Sequence, residues 1–168
     1  QIQSSRLGAG GASLIIGCDF VTTASEKTLE LGLKGKTRVV VNLHEQMTGG
    51  FTRNKNFQFP RHDLKKNIES RVGEDSVRYI SATEIATQLM GNSIASNMFM
   101  LGFSYQEGLL PIGHEAINKA IALNGASVKM NQEAFMWGRR ASVDMKAVER
   151  LVKLDEKHPD RDAPAESL

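Results

Sequence analysis

The chain has 168 residues, of which 40% are hydrophobic, and its 21 basic and 19 acidic side chains leave a formal net charge of +2. This length and composition predict a single globular domain, and the near balance of charge gives no electrostatic argument for nucleic-acid binding. No apolar run approaches the roughly 18 residues that a membrane-spanning helix needs. The N-terminus has no signal-peptide pattern and no initiating Met. We therefore expect a cytoplasmic protein that begins partway through a longer chain.

Cysteine and histidine usage limits the metal chemistry that this chain can carry. Its one cysteine, Cys18, excludes an internal disulfide framework. It also excludes an iron–sulfur cluster held by this chain alone, because such clusters usually take four thiolates. No two of the four histidines stand at the i, i+4 spacing of a helical metal pair. The sequence therefore predicts no metal site.

The first third of the chain predicts a βαβ unit. Residues 14–17 (LIIG) are typical of a buried strand. A capping box, Thr23 followed by Glu26, predicts a helix from there to about residue 33. The β-branched run 37–43 predicts a central strand, parallel to the first and reached by a right-handed crossover. The glycine-rich residues 1–13 precede the first strand, which favours a linker or the remnant of a preceding sheet segment over a dinucleotide-binding loop.

The rest of the chain predicts one more strand and a run of helices. Residues 44–61 form a predicted long loop, and such loops usually bind or cover something. A helix over residues 63–72 and a strand over residues 77–80 follow, and a second capping box, Ser81 with Glu84, predicts a helix to about residue 90. Residues 93–107 are apolar on nearly every side, which predicts a helix buried in the domain or against a partner chain.

Two last helices and a tail complete the predicted organisation. One helix begins after Pro111 with Gly113 as its cap, the break follows at Asn124-Gly125, and the last helix runs from about residue 131 to about residue 154. Residues 155–168 are charged and contain proline, as expected of a tail. The prediction is an α/β fold with three layers, α/β/α, in which a mostly parallel Rossmann-like sheet is followed by a run of helices over residues 14–154.

Candidate ligand-binding residues follow the first two predicted strands. Asp19, Thr22 and Thr23 come after the first strand, and His44 comes after the second. In open α/β sheets, ligands bind at the carboxyl ends of strands and at helix N-termini. The alternative is structural: Asp19 forms a turn, Cys18 is a small core residue, and His44 points away from its neighbour Glu45.

Two arginine-bearing segments are further candidates. In the loop 52–60, Arg53 alternates with aromatic side chains, a pattern that binds an anionic cofactor or packs on a neighbouring domain. Trp137 is a predicted core residue, and Arg139 and Arg140 either bind a carboxylate or phosphate or remain solvated helix charges. The sequence contains no Ser-His-Asp order, HExxH motif, Walker loop or GDG-type segment for thiamine diphosphate. It therefore predicts no catalytic residue and no complete active site.

Several long stretches nevertheless resemble one enzyme family. They are residues 14–45, residues 51–60 (FTRNKNFQFP), residues 94–136, and most informatively residues 108–141 (GLLPIGHEAINKAIALNGASVKMNQEAFMWGRRA). They are similar to the gamma domain of bacterial indolepyruvate ferredoxin oxidoreductase, in the 2-oxoacid:ferredoxin oxidoreductase family. The similarity covers residues 12–142. Family gamma domains begin with a glycine-rich strand–loop–helix segment that this sequence lacks, and Gly113 stands where a hydroxyl cap is usual, so the resemblance indicates a C-terminal fragment of the domain.

The resemblance implies a role within a larger enzyme. The parent enzyme oxidatively decarboxylates an aryl-pyruvate to its acyl-coenzyme A and passes the electrons to ferredoxin, by means of thiamine diphosphate, Mg²⁺ and iron–sulfur clusters. The implied role of this chain is a scaffold for the thiamine-binding and ferredoxin-like domains or subunits, or a part of the coenzyme A approach, in a homo-oligomer. A free-standing α/β ligand-binding module and an interaction domain that docks through residues 93–107 are the alternatives.

Overall fold

The computed structural model describes residues 7–44 and 60–152. Within them, a parallel three-stranded sheet in the order β1-β2-β3 is built from β1 (Leu14–Gly17), β2 (Arg38–Asn42) and β3 (Val77–Ile80). The α-helices of the same residues are α1 (Phe20–Thr23), α2 (Glu26–Leu29), α3 (Arg61–Val72), α4 (Ala82–Met90), α5 (Ser96–Gln106), α6 (His114–Asn124), α7 (Val128–Val143) and α8 (Met145–Val152). None of these helices is long and apolar enough to cross a bilayer.

Helices cover both faces of the sheet. Val39 and Val41 of β2 face one side, where they pack with Ile68 and Val72 of α3. Val40 faces the other side and packs with residues of α4, α5 and α8. Successive residues of a strand point to opposite faces of the sheet, so a strand that is buried on both faces has a continuous run of apolar residues in its sequence. The three-layer α/β/α arrangement around a parallel sheet is therefore confirmed.

Helices α5 and α7 cross with their backbones in contact. Gly102 of α5 and Gly138 of α7 lie at the crossing. A Cβ atom at Gly102 would collide with the carbonyl group of Phe135, and one at Gly138 would collide with the carbonyl of Phe99 and lie 2.8 Å from the backbone nitrogen of Phe103. The buried helix predicted over residues 93–107 is confirmed, with a 3-10 turn over Ser93–Ala95 before α5, and its burial within the described residues is against α7 and the sheet.

The first predicted capping box is wrong. Thr23 is the last residue of α1 and does not begin the next helix. Its side chain is 2% exposed, and its hydroxyl donates to the carbonyl of Asp19 at 2.5 Å. Asp19 caps α1 instead, and Ser25 precedes the short α2. Because Thr23 packs inward against Gly17, where a Cβ would meet its side chain, tertiary packing overrides the local capping pattern.

Other helix predictions hold with changed boundaries. Ser81 precedes α4 as predicted, although its side chain makes no capping hydrogen bond. Gly113 precedes α6, and Gly125 ends it with φ 72°, which confirms the break after Asn124. The predicted last helix is two helices: α7 ends before Asp144, whose carboxylate accepts a hydrogen bond from the N–H of Ala147 at 2.9 Å and so begins α8.

The end of the glycine-rich segment is attached to the βαβ unit. The N–H groups of Gly10 and Ala12 donate to the carbonyls of Glu30 and Leu31, at 2.8 and 3.0 Å. The hydroxyl of Thr37, which is fully buried, donates to the carbonyl of Ala12 at 2.6 Å. Residues 10–13 are therefore bound to the folded unit, and the predicted domain boundaries at residues 13 and 154 stay predictions.

Candidate functional site

The three parallel strands end at one edge of the sheet, and this strand-end edge carries most of the candidate residues. Asp19, Thr22 and Thr23 lie in and before α1, directly after β1, and His44 follows β2. Arg53, together with the rest of residues 45–59, where the sequence predicts a loop, lies outside the described residues. The structure links these positions mainly through a residue that sequence reasoning missed, Asn42.

Asn42 is the last residue of β2 and is only 1% exposed. Its Nδ2 donates to the carbonyl of Cys18 at 3.2 Å and to the hydroxyl of Thr83 at 2.7 Å. Its Oδ1 accepts from the backbone N–H groups of His44 at 3.3 Å and Thr83 at 3.4 Å. Both amide donors and the carbonyl oxygen are thus occupied. Asn42 therefore joins the ends of β1 and β2 to the start of α4 and leaves no polar atom for a ligand.

A signal for Asn42 exists in the sequence. It follows three consecutive valines, all of which are at most 1% exposed. A polar side chain directly after such a run must find internal partners, because an unpaired buried amide is costly. The partners themselves lie 24 and 41 residues away along the chain, which no local pattern indicates.

Asp19 has both a structural contact and a free oxygen atom. Its Oδ1 accepts from the N–H of Thr22 at 2.7 Å and so caps α1. Its Oδ2 is buried and has no hydrogen-bond partner among residues 7–44 and 60–152. With only four residues, α1 offers a weak dipole for anion binding, and the carboxylate already occupies its N-terminus.

The remaining predicted residues show no convergence on an open space. Thr22 is exposed, and its carbonyl accepts from the hydroxyls of Ser25 at 2.7 Å and Thr28 at 2.9 Å. Thr23 points into the core. His44 is exposed, and its backbone N–H, not its ring, makes the contact with Asn42. The cofactor-binding role predicted for Asp19, Thr22, Thr23, His44 and Arg53 remains a prediction.

Cys18 adjoins this cluster, but its environment does not activate the thiol. Its side chain is exposed on the surface of the chain, yet partial burial of the sulfur raises its pKa above the ordinary value. Reactive cysteines have a lowered pKa, set by a nearby cation or a helix N-terminus. The raised pKa favours the protonated thiol, so the structure gives Cys18 no nucleophilic role.

Two cavities of about 520 Å³ each lie elsewhere in the described part of the chain. Neither is lined by Asn42 or by a candidate residue of the strand-end edge, but the candidates Arg139 and Arg140 line one of them. One lies between α2 and α3 and contains Arg71. The guanidinium of Arg71 donates to the carbonyls of Leu29 at 2.9 Å and Glu30 at 3.3 Å, so it caps the end of α2. The other lies between α7 and α8. Over residues 7–44 and 60–152, no three His, Cys, Asp or Glu side chains are grouped to hold a metal ion.

Comparison with known proteins gives one match. The model of a family described as pyruvate ferredoxin/flavodoxin oxidoreductase matches residues 2–141, which extend from before β1 almost to the end of α7. No curated protein and no solved structure gives a significant match. The match includes the strand-end edge, the crossing of α5 and α7, and Trp137, Arg139 and Arg140, which line the second cavity.

Proposed function

Because the chain belongs to the pyruvate ferredoxin/flavodoxin oxidoreductase family, we propose that it is a gamma-type assembly domain of an indolepyruvate ferredoxin oxidoreductase. Family membership supports a subunit or domain of a 2-oxoacid oxidoreductase complex. The indolepyruvate subtype rests on the similarity of residues 51–60 and 94–136 to the gamma domain of that enzyme. The parent reaction is oxidative decarboxylation of an aryl-pyruvate to an acyl-coenzyme A, with ferredoxin as the electron acceptor.

One observation carries the assembly role: at the strand-end edge, the amide of Asn42 and one carboxylate oxygen of Asp19 bind other groups of the fold. In an active site, titratable side chains converge on an open space and have pKa values matched to their task. Here Asn42 makes four internal hydrogen bonds, and Asp19 caps a helix. These contacts stabilise the end of the sheet and leave the chemistry to other parts of the enzyme.

In this proposal, the cofactors of the parent reaction are not held by this chain alone. One cysteine in 168 residues cannot supply the thiolates of an iron–sulfur cluster. Among residues 7–44 and 60–152, no three His, Cys, Asp or Glu side chains are grouped to hold a metal ion. We therefore derive no catalytic step through these groups. In this proposal, the thiamine-binding and ferredoxin-like domains or subunits hold them, in a cytoplasmic homo-oligomeric enzyme.

A part in the coenzyme A approach is the second candidate, and one observation opposes it. At the strand-end edge, the carboxylate of Asp19 has a buried oxygen atom that finds no partner in the part of the chain that the structure describes. An anionic phosphate brought to that edge would face a like charge, which costs free energy. Any coenzyme A role would fall to Arg53 and its loop, and a scaffold role needs no such contact.

A titration separates the two candidates. The chain is titrated by calorimetry and thermal shift with coenzyme A, with thiamine diphosphate plus Mg²⁺, and with indolepyruvate. The assembly role predicts a cooperative melt and no saturable binding of any of the three. Binding of coenzyme A that Asp19→Asn strengthens or Arg53→Gln abolishes would replace the assembly role by the coenzyme A role.

A complementation assay tests the assembly role directly. Thiamine-binding and ferredoxin-like polypeptides of an indolepyruvate-type enzyme, prepared without their gamma domain, are mixed with this chain. The expected result is co-elution on size exclusion and recovery of ferredoxin reduction that depends on indolepyruvate and coenzyme A. Absence of both co-elution and recovery, with a chain that melts cooperatively, would refute the proposed function.

A further inference from the structure

An apolar groove runs between α7 and α8 and has no role in the site described above. Met136, Trp137, Val143 and Leu151 line this α7–α8 groove, whose volume is about 520 Å³. Val143 is 74% exposed, Leu151 65% and Met136 38%. Single exposed apolar side chains are ordinary on a protein surface, but several in one concave patch mark an interaction site.

Two arginines lie beside the apolar side chains that form the floor of the groove, and each one stacks on an aromatic ring. The guanidinium of Arg140 lies 4.7 Å from the ring centroid of Trp137, and that of Arg139 lies 5.3 Å from the centroid of Tyr105. Arg139 also donates from Nε to the side-chain oxygen of Gln106 at 2.9 Å. Stacking on a ring restricts each side chain while its remaining N–H groups stay available.

The charge around the groove is unbalanced. Within the described residues, neither Arg139 nor Arg140 forms an ion pair. Among the described residues that line the groove, Asp144 is the one carboxylate, and it also accepts the hydrogen bond that begins α8. The lining therefore has two guanidinium groups and one carboxylate. The α7–α8 groove therefore has an apolar floor beside two guanidinium groups whose orientation is fixed by ring contacts. This combination suits a ligand in which an apolar side chain is accompanied by carboxylates.

We propose that the α7–α8 groove binds an acidic, apolar segment of another polypeptide of the enzyme. The proposal rests on the assembly role and adds the surface and the chemistry of the partner. A large apolar side chain of the partner fills the floor, and its Asp or Glu side chains bind the guanidinium groups of Arg139 and Arg140. A second copy of this chain suits the groove less well, because a two-fold contact would bring the same arginines together.

Trp137 provides a direct test, because it is the only tryptophan of the chain and lines the groove. Its fluorescence is followed while the full chain is titrated with a synthetic Leu/Glu amphipathic peptide, and separately with the same peptide carrying Lys at every Glu position. The proposal predicts a saturable change in emission with the Glu peptide and at least about tenfold weaker binding of the Lys peptide.

Matched variants locate the binding. Arg140→Glu and Leu151→Asn are expected to weaken binding of the Glu peptide by about tenfold or more. Arg150→Glu and Leu123→Asn make the same changes at exposed positions that do not line the groove, and binding should stay within about twofold of the original chain. Far-UV circular dichroism melts of all four variants check that each one folds.

Four results would overturn the proposal. The first two are that the Glu peptide fails to bind and that both peptides bind equally. The third is that Trp137 becomes shielded as the chain concentration alone rises, which makes a second copy the occupant. The fourth is that the peptide binds only after residues 153–168 are removed, which makes that segment the occupant. The complementation assay keeps the two proposals apart. Peptide failure with intact complementation refutes only the groove, and peptide binding without complementation refutes only the assembly role.

Discussion

The crossing of α5 and α7 predicts an unusually large penalty for a single methyl group. In Gly138→Ala, the new Cβ would collide with the carbonyl of Phe99 and lie 2.8 Å from the nitrogen of Phe103. Both are backbone atoms, so no side chain can rotate away. The helices would have to separate by about 1 Å, and gaps of that size forfeit a quarter to a half of the dispersion energy of each lining contact.

Two opposing terms decide the sign and size of the effect. Alanine is about 1 kcal/mol more favourable than glycine inside a helix. Overpacking costs about 1–3 kcal/mol and more where nothing can yield, and the separation of α5 from α7 also loosens the buried Phe99, Phe103 and Phe135. Because the clash is with backbone atoms, its cost lies at the upper end of this range and exceeds the propensity gain. We expect a net loss of about 2 kcal/mol in the free energy of unfolding, which lowers Tm by about 4–8 °C for a domain of this size.

The assay is thermal and guanidinium unfolding of the full chain, followed by circular dichroism at 222 nm. Gly8→Ala is the matched control, because apart from its chain neighbours no described residue has an atom within 4 Å of the added Cβ. It should change stability by less than about 0.5 kcal/mol. The Gly102→Ala, Gly138→Ala double variant should lose less than the sum of the single losses, since the first methyl already separates the helices. A Gly138→Ala chain that melts at or above the original temperature would refute the backbone-to-backbone crossing.

Three further predictions concern the sheet and its ends. Asn42→Ala removes the hydrogen bonds to four groups and should lower the free energy of unfolding by about 3 kcal/mol. The control Asn131→Ala loses one exposed hydrogen bond and should lower it by under about 1 kcal/mol. Equal losses of the two variants in urea melts would contradict the role of Asn42. Burial is the largest cause that raises the pKa of Tyr79, and its hydrogen bond to Glu69 and the negative charge of Glu69 raise it further. The pKa of Tyr79 is higher in the folded than in the unfolded chain, so its contribution to stability is complete below about pH 10 and is lost as the pH rises further. In Tyr79→Phe, the free energy of unfolding should therefore decline less steeply between about pH 9 and about pH 11. An unchanged slope would contradict this. The raised pKa of Cys18 predicts slower alkylation by iodoacetamide at about pH 8 in the folded chain than in the urea-unfolded chain, and an equal or faster rate would argue against it.

Local patterns predicted the secondary structure well where burial follows directly from periodicity. The valines of β2 are apolar at every position because both faces of the strand are covered. The end of α6 is local too, since Gly125 adopts the left-handed conformation that glycine favours. The capping box at Thr23 failed because a hydroxyl that can cap a helix can also donate to the carbonyl four residues earlier, here that of Asp19. The packing of Thr23 against Gly17 favours the second arrangement.

The sequence predicted where the strand-end edge lies but not which side chain lies at its centre. Parallel strands place their carboxyl ends together, so Asp19 and His44 could be assigned to one edge from the chain order alone. That Asn42 occupies the centre of this edge depends on Cys18 and Thr83, which approach only once the three strands are paired.

The sequence by itself determined the parallel α/β sheet, the run of helices and the family, because strand periodicity, glycine breaks and extended similarity are all properties of contiguous residues. Tertiary structure alone decided which glycines bring α5 and α7 into backbone contact, and how α7 and α8 leave an apolar groove beside Arg139 and Arg140. These features are distances between segments far apart in the chain. They arise from how the helices pack, and packing is settled by all the side chains of the core together.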